Sequence, residues 1–338
     1  MSEEPIADVA ALFDLYQQGI VFHCVCAVTR LGIPDALDHE PREVARVAAE
    51  TGCDEDALRR VLRLLAGHSL LTYDPERDLA GLTARSELLQ GRHAMSLRAT
   101  FATLGISDVA HALTETVRTG RPATVPALGT GFWEYLAERP EQQTVFSEAM
   151  AEQARLLSLP CVHLVDWPPA GTVVDVGGGI GVLLAAVLQE EPGARGILVD
   201  QPQVLDRARS FLKDEGVADR CAVRAGNLFE PPPPADMYLL SRVLHDWDDD
   251  GVVRILAAIS RDADAAARLR IFEDLLPERG SPAPAQNWSD LVMMALYDGA
   301  RERTLTQYRA LLERGGWTFD RVVHGPPGMN VIEATRAG

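Results

Sequence analysis

His245 ends an apolar run, DMYLLSRVL, and opens the segment HDWDDDG. If that run is a strand of a parallel sheet, the imidazole lies at the strand's carboxyl edge, where such sheets bind their ligands. With an ordinary pKa of about 6.5, an imidazole there takes up a proton near neutral pH and can serve as a general base. Glu273 stands near the end of a second such run, LRIFEDLL, and Glu302 lies in GARERTLTQ just ahead of a helix. Two carboxylates beside an imidazole fix its tautomer and stabilise the imidazolium. Asp248 to Asp250 read as a helix start, and Asp246 as either a cap or a support for the histidine. The other seven histidines (His23, His39, His68, His93, His111, His163 and His324) have no comparable setting and read as surface or packing residues.

A second constellation lies upstream, in VVDVGGGIGVLLAAVL. Gly177, Gly178, Gly179 and Gly181 join an expected strand to an expected helix, where glycine permits a sharp turn and a close ligand, and the helix start offers free N–H groups. The dinucleotide spacing GxGxxG fails, because its last position falls on Val182. Asp175 precedes the loop and suits a cationic amine better than a pyrophosphate. Asp200 ends the next strand, 23 residues after Gly177, where a carboxylate can accept hydrogen bonds from both ribose hydroxyls. The pattern D-x-G-x-G-x-G with a downstream acid favours S-adenosylmethionine over a nicotinamide dinucleotide.

These residues need a scaffold, and the pattern from Gly171 onward provides one. Strands TVVDVG, GILVD, CAVRAG, DMYLLSRV and LRIFEDLL alternate with helices at about 180–189, 204–211, 252–259 and 305–315. The end, WTFDRVVHGPPGMNVIEATR, reads as two strands around a Gly-Pro-Pro-Gly turn. The expected fold class is therefore α/β: a parallel sheet covered by helices and closed by an antiparallel hairpin. Upstream, DWPPAGT breaks helicity. Residues 105–165 are expected to be helical, and residues 44–71 to form two amphipathic helices about Gly52-Cys53-Asp54, with Asp54 as cap. LLTYDPERDLAGLT then reads as a hairpin, and helix, turn, helix, hairpin is a winged-helix pattern.

Composition narrows the function classes. The chain has 338 residues, 47% hydrophobic and 24% charged, enough for two domains. Acids outnumber Lys plus Arg by 49 to 32, for a formal charge of −17, and residues 1–100 hold 10 arginines against 16 acids. A DNA reader needs a positive footprint, so the winged module is expected to pack on another subunit instead, and the apolar stretch 19–28 reads equally as a dimer surface or as core. No stretch is seen to approach the ~18 apolar residues of a membrane span, so a transmembrane protein is not expected, and MSEEPIADVAALF has acids where a secretory leader has positive charge, so export is not expected either. The five cysteines are scattered without a CxxC pair, as reduced thiols in a cytoplasm would be. No cluster with metal-ligand spacing stands out, and no metal is expected.

Taken in order, VVDVGGGIG, LVDQPQV, GNLFE, YLLSRVLHDWDDD, LLPERG and ARERT resemble the small-molecule O-methyltransferases of the plant caffeic-acid type and their bacterial relatives acting on aromatic polyketides. The likeness spans nearly the whole chain. It implies a Rossmann-like class I methyltransferase sheet and a mainly helical, winged-helix-like dimerisation domain, with boundaries at 1–105 (dimerisation), 106–168 (helical, lining the substrate pocket) and 169–338 (cofactor binding and catalysis). It implies methyl transfer from S-adenosylmethionine to a phenolic hydroxyl of an aromatic small molecule, such as a polyketide-derived secondary metabolite, by a cytoplasmic homodimer. His245 matches the family's base, and Glu273 and Glu302 the acids that orient it. Asp175, Gly177, Gly179, Asp200, Asn227, Leu228 and Ser241 fall on the cofactor side. Asn227 departs from the family's usual Asp. Met150, Gln153, Met293 and Tyr297 match acceptor positions, and Met294, Trp288 and Trp133 add groups suited to a flat ring. The alternatives are a family member that decarboxylates or hydroxylates without methyl transfer, a winged-helix ligand-sensing regulator, and, less favoured by the glycine spacing, a nicotinamide-dependent dehydrogenase.

Overall fold

The structure, a computed structural model, describes residues 3–103 and 105–338. It divides into two compact units, Met1–Thr103 and Leu104–Gly338.

The first unit opens with a long helix, Glu3–Arg30. Helices Val44–Thr51 and Glu55–Gly67 follow as expected, the second capped by the Asp54 carboxylate, which accepts from the Ala57 N–H at 2.8 Å. Three leucines at helical spacing, Leu58, Leu62 and Leu65, turn into the core with Val44 and Val47. Strands Thr72–Asp74 and Leu79–Gly81 form the hairpin, and Arg42–Glu43 adds a third strand beside it. The expectation about membrane spans needs correcting. By length and composition, Ile6–Arg30 is apolar enough to cross a bilayer, and only 17% of its most apolar window is buried. Counting uninterrupted apolar residues overlooked it because Asp8, Asp14 and the Gln17-Gln18 pair punctuate the run without lowering its mean hydropathy below that of a span. Leu12, Phe13, Leu15, Tyr16 and Ile20 on this helix are all more than half exposed.

The second unit is built on a seven-stranded sheet whose strands are numbered here β1 Thr172–Val176, β2 Arg195–Asp200, β3 Cys221–Ala225, β4 Met237–Ser241, β5 Arg268–Glu273, β6 Trp317–His324 and β7 Asn330–Arg336. Their order across the sheet is β6-β7-β5-β4-β1-β2-β3. Strands β1 to β5 run parallel, and β7 pairs antiparallel with both β5 and β6. The central strands β1, β4 and β5 are almost wholly buried, as strands covered on both faces must be, which explains their unbroken apolar runs. The Asp248 carboxylate caps the helix Asp249–Arg261 by accepting from the Gly251 N–H at 2.7 Å, so the acidic run there does start a helix.

Helices between 105 and 168 belong to the second unit, the longest being Pro140–Leu157. One helix, Pro284–Leu296, is absent from the sequence reading. Its first half is polar and its second half continuously apolar, so no stripe of period 3.6 is visible. The available signal was Pro284, because proline at a first helical position is a start marker.

Candidate active site

Every strand from β1 to β5 delivers a functional candidate at or just past its carboxyl end. Asp175 lies in β1, Asp200 ends β2, Asn227 follows β3, Ser241 ends β4 and Glu273 ends β5. After β4 the chain turns sharply at Arg242, whose φ of 56° lies in the left-handed region. Val243 then adopts a right-handed helical conformation, so successive N–H groups converge on one point and make an anion nest. The anion is the Glu273 carboxylate: its Oε1 accepts from the Val243 N–H at 3.1 Å and the Leu244 N–H at 2.9 Å.

The same turn leads into a short 3-10 helix, Leu244–Asp246, which carries His245 into the interior with 3% of its surface exposed. Its Nδ1 lies 3.1 Å from Glu302 Oε1 and 3.2 Å from Glu273 Oε2, while Nε2 is 3.5 Å from Asp246 Oδ1. The structure thus brings together all three residues that the sequence placed at separate edges. It also corrects the expectation that no metal-binding cluster exists, because ligand atoms of His245, Glu273 and Glu302 lie within 4.8 Å of one another. Segments 28 and 57 residues away from the histidine cannot show a ligand spacing motif.

Supports for this cluster come from residues the sequence reading passed over. Glu302 Oε1 accepts from Ser289 Oγ at 2.6 Å, and the Glu302 N–H donates to Asp290 Oδ1 at 2.9 Å, both partners lying on the overlooked helix. Arg303, the residue after Glu302, is fully buried. Its guanidinium donates to the carbonyls of Leu244 at 3.1 Å, Trp247 at 2.7 Å and Arg301 at 3.3 Å, and pairs with Asp249 at 2.9 Å. With the Arg301 N–H donating to the His245 carbonyl at 3.0 Å, this stitches the glutamate segment to the histidine segment. An arginine next to a glutamate gives no sequence sign of facing inward.

Electrostatics change the expected chemistry of the imidazole. Burial pushes the His245 pKa down, but the Glu273 charge, the Glu302 hydrogen bond and the Asp246 charge outweigh it and raise the pKa to about 9, well above the ordinary value assumed from sequence. Burial lifts Asp246 to about 7 and also raises Glu273. Burial opposes ionisation of Glu302 as well, yet the hydrogen bonds from His245 and Ser289 prevail and hold its carboxyl below the usual range.

On the far side of the sheet's centre, Gly177, Gly179 and Gly181 all have positive φ, at 75°, 59° and 93°. Gly177 approaches Val243 and Leu228 so closely that a methyl there would meet both, and one at Gly178 would overlap the Asp175 carboxylate and Leu198. Asp200 accepts from the Gly179 N–H at 2.7 Å and the Gln201 N–H at 2.6 Å, which fixes the loop to β2, while burial raises its pKa to about 6. Asp175 is 1% exposed, neither of its oxygens has a hydrogen-bond partner among the described residues, and burial together with the Asp200 charge lifts its pKa to about 7. An open glycine cradle, a largely buried acid at the next strand end and an orphaned acid beneath the loop fit a cofactor that carries cationic and hydroxyl groups. Asn227 is exposed and its side-chain carbonyl accepts from the Phe229 N–H at 3.0 Å, so its amide NH2 is the group left to face outward. The Ser241 hydroxyl lies 3.0 Å from that of Ser158.

Of the expected acceptor residues, Tyr297 lies near enough to Asp246 for that charge to raise its pKa. Met293 and Tyr297 are buried in an apolar cluster with Phe132 and Phe146, against which Trp133 and Met150 pack. The Trp133 and Tyr297 rings stack at 5.3 Å and 21°. Gln153 accepts from Arg242 Nη2 at 2.8 Å. Trp288 is an exception: it is 60% exposed and lies outside this cluster, and the half-buried Met294 is not part of it either.

Comparison with known proteins gives two family matches, an O-methyltransferase domain over residues 110–318 and an O-methyltransferase dimerisation domain over residues 13–92. The phenazine O-methyltransferase PhzM of Lysobacter antibioticus is 37% identical over 312 residues, covering 90% of this chain and 89% of that protein. An 8-amino-8-demethylriboflavin N,N-dimethyltransferase of Streptomyces davaonensis is 36% identical over 326 residues, 93% and 92% of the two chains. Among solved structures, the mitomycin 7-O-methyltransferase MmcR superposes with a TM-score of 0.91 at 34% identity, over 99% of both chains. NcsB1, an O-methyltransferase from neocarzinostatin biosynthesis in complex with S-adenosylmethionine and 2-hydroxy-5-methyl naphthoic acid, gives 0.80 at 30% identity, over 93% of this chain and 95% of that one.

Two stability tests follow from this geometry. Arg303→Ala strands three carbonyls and is expected to destabilise the protein by about 2–4 kcal/mol in denaturant titration, whereas an unchanged midpoint would mean that the clamp carries no load. Asp175 binds a proton in the folded, cofactor-free protein up to about pH 7, against about 4 when unfolded, so its contribution to stability falls as pH rises through that window. Asp175→Asn should therefore match the wild type near pH 4 and exceed it by roughly 1–3 kcal/mol above pH 7, as read by thermal unfolding across pH.

Proposed function

The chain belongs to the S-adenosylmethionine-dependent O-methyltransferase family, and from that premise we propose that it methylates a phenolic hydroxyl of an aromatic small molecule, with His245 as the general base. The observation that supports this reading is the His245 ring, held with Nδ1 toward Glu302 and Glu273 at 3.1 and 3.2 Å. A proton on Nδ1 is hydrogen-bonded to Glu302 with the Glu273 charge beside it, which leaves Nε2 as the basic nitrogen.

Glu273 and Glu302 raise basicity as well as orient the ring. A phenol has a pKa of about 10, so an imidazole at about 9 accepts its proton almost evenly, while an ordinary one at about 6.5 would do so steeply uphill. The cost is occupancy, because at pH 7 only about one part in a hundred of such an imidazole is unprotonated. When bound, the sulfonium supplies an electrophilic methyl and a neutral thioether leaving group. The protein's share is alignment, exclusion of water and removal of the proton as the phenolic oxygen attacks. Asp175, Gly177, Gly179, Asp200, Asn227, Leu228 and Ser241 are assigned to holding the cofactor, and Met150, Gln153, Met293 and Tyr297 to bordering the acceptor. The positive charge between the two glutamates is assigned to the imidazole proton rather than to a metal ion.

Residues 1–105 are assigned to homodimer formation, which would cover the exposed apolar face of the first helix, residues 106–168 to the acceptor side, and residues 169–338 to the cofactor and the chemistry. A membrane or nucleic acid is not part of this reading, and the compartment assigned is the cytoplasm. A relative that transfers methyl to nitrogen favours an aromatic amine as the second reading.

Incubation with labelled S-adenosylmethionine and hydroxylated aromatics should yield a methyl ether by mass spectrometry and NMR, and an N-methyl product would favour the second reading. His245→Ala is expected to lower kcat by about 10²–10⁴-fold with cofactor binding retained, and near-normal turnover would remove the base assignment. The rate should climb about tenfold per pH unit below about 9, since only the unprotonated imidazole works. In Glu302→Gln the climb should end at a lower pH, because a charge that raises the His245 pKa is gone. Activity in excess chelator should be complete, and a loss restored by zinc would reassign the cluster as a metal site.

A further inference from the structure

The two glutamates beside His245 each have one oxygen anchored and one left over. Glu273 Oε1 accepts from the Val243 and Leu244 N–H groups, and Glu302 Oε1 from the Ser289 hydroxyl. Glu273 Oε2 and Glu302 Oε2 have no hydrogen-bond partner among the described residues, although both residues are at most 3% exposed. Oxygens orphaned in this way are costly, and the single proton on Nδ1 cannot satisfy both. That proton also brings one positive charge against two carboxylates, where a divalent cation brings two. The spacing suits such an ion. Zinc bound tetrahedrally at about 2.0–2.2 Å from nitrogen and carboxylate oxygen holds its ligand atoms about 3.3–3.5 Å apart. His245 Nδ1 is 3.1 Å from Glu302 Oε1 and 3.2 Å from Glu273 Oε2, so two edges of the site are already near that length. Ligand atoms of all three residues lie within 4.8 Å of one another, and the bonds to the anchored oxygens hold the carboxylates in place as the outer partners of metal ligands do. On the surface, His163 Nδ1 and Glu190 Oε2 are also 3.1 Å apart, but that pair is largely exposed and has no third ligand among the described residues.

We propose that His245, Glu273 and Glu302 also form an inhibitory zinc site, in which the ion takes the place of the Nδ1 proton. This rests on the methyl-transfer reading and adds a regulation to it. In the working enzyme the Nδ1 proton leaves Nε2 free to act as base. Zinc binding to the imidazolium displaces the Nδ1 proton to solvent, forms the Zn–Nδ1 bond and leaves the other ring proton on Nε2. An Nε2–H donates and cannot accept a phenolic proton, so turnover stops while the glycine loop and the cofactor acids are untouched. A fourth position on the ion stays open for water. Magnesium and calcium favour six or more oxygen ligands, and an imidazole with two carboxylates does not supply them.

The test uses the full-length protein, stripped of metal by a chelator and then freed of it, with cobalt(II) and zinc chlorides as probes. Cobalt should give the intense visible absorption of a four-coordinate ion at one equivalent, and zinc should bleach it. The bands should vanish in Glu273→Gln and Glu302→Gln and persist in His163→Ala. Absent bands, bands that survive both glutamine variants or follow His163, or bands with the near-ultraviolet charge transfer of a cysteine thiolate overturn the assignment. If the glutamine variants do not fold, nitrogen-15 NMR of the wild-type His245 ring decides. With zinc the ring proton should be on Nε2, and a proton still on Nδ1 overturns the site. For a methylated acceptor, saturating zinc should lower kcat by about 10²–10⁴-fold, the contribution of a general base, with S-adenosylmethionine affinity unchanged. Chelator should restore the rate, and magnesium should have no effect. Full turnover with the site filled overturns the inhibitory role. Cluster-dependent cobalt bands without methyl transfer to any acceptor would count against the methyl-transfer reading and leave the metal site standing.

Discussion

Burial alone would strip the proton from His245, and the two carboxylates at its Nδ1 put it back. That balance places the imidazole near a pKa of 9 inside a cluster where His245, Glu273 and Glu302 are each no more than 3% exposed. An unmatched charge in this setting is costly. The surrounding contacts meet part of that demand and leave Glu273 Oε2 and Glu302 Oε2 without a hydrogen-bond partner among the described residues. Two backbone N–H groups satisfy one oxygen of Glu273, Ser289 supports Glu302, and Arg303 spends its donors on the carbonyls of the histidine and glutamate segments.

The sheet explains how such distant residues meet. Parallel strands present their carboxyl ends to one edge, so β4 and β5 deliver His245 and Glu273 side by side. The neighbouring β1 and β2 deliver Asp175 and Asp200 to the glycine loop. Gly177 joins the two halves physically: its lack of a side chain lets Leu228 and Val243 close in, and Val243 is also one of the residues that grip Glu273. The glycine loop and His245 are thus built on a single edge of the sheet, an arrangement that suits transfer between two molecules bound side by side.

Most of this architecture was legible in the residues. The strand runs, the glycine loop, Asp54 as a cap and the acidic start of the helix after His245 each have a local physical cause, so each leaves a local signal. What stayed hidden was set by tertiary burial. Arg303 looks like any surface arginine until its carbonyl partners are known. The polar first half of Pro284–Leu296 conceals a helix that supplies Ser289 and Asp290 to the site. Trp288 reads as a pocket group by type, yet the helix turns it outward. The apolar character of Ile6–Arg30 was masked by four polar residues within it. The pKa of His245 could not be read at all, since it depends on charges contributed by segments far apart in the chain.

The central claim concerns one proton, and nitrogen-15 NMR of the His245 ring across pH in the cofactor-free protein observes it directly. The account predicts that Nδ1 keeps its proton throughout, donated to Glu302 beside the Glu273 charge, while Nε2 loses its own at about pH 9. Titration at or below the ordinary 6.5, or a neutral ring with its proton on Nε2, would contradict it.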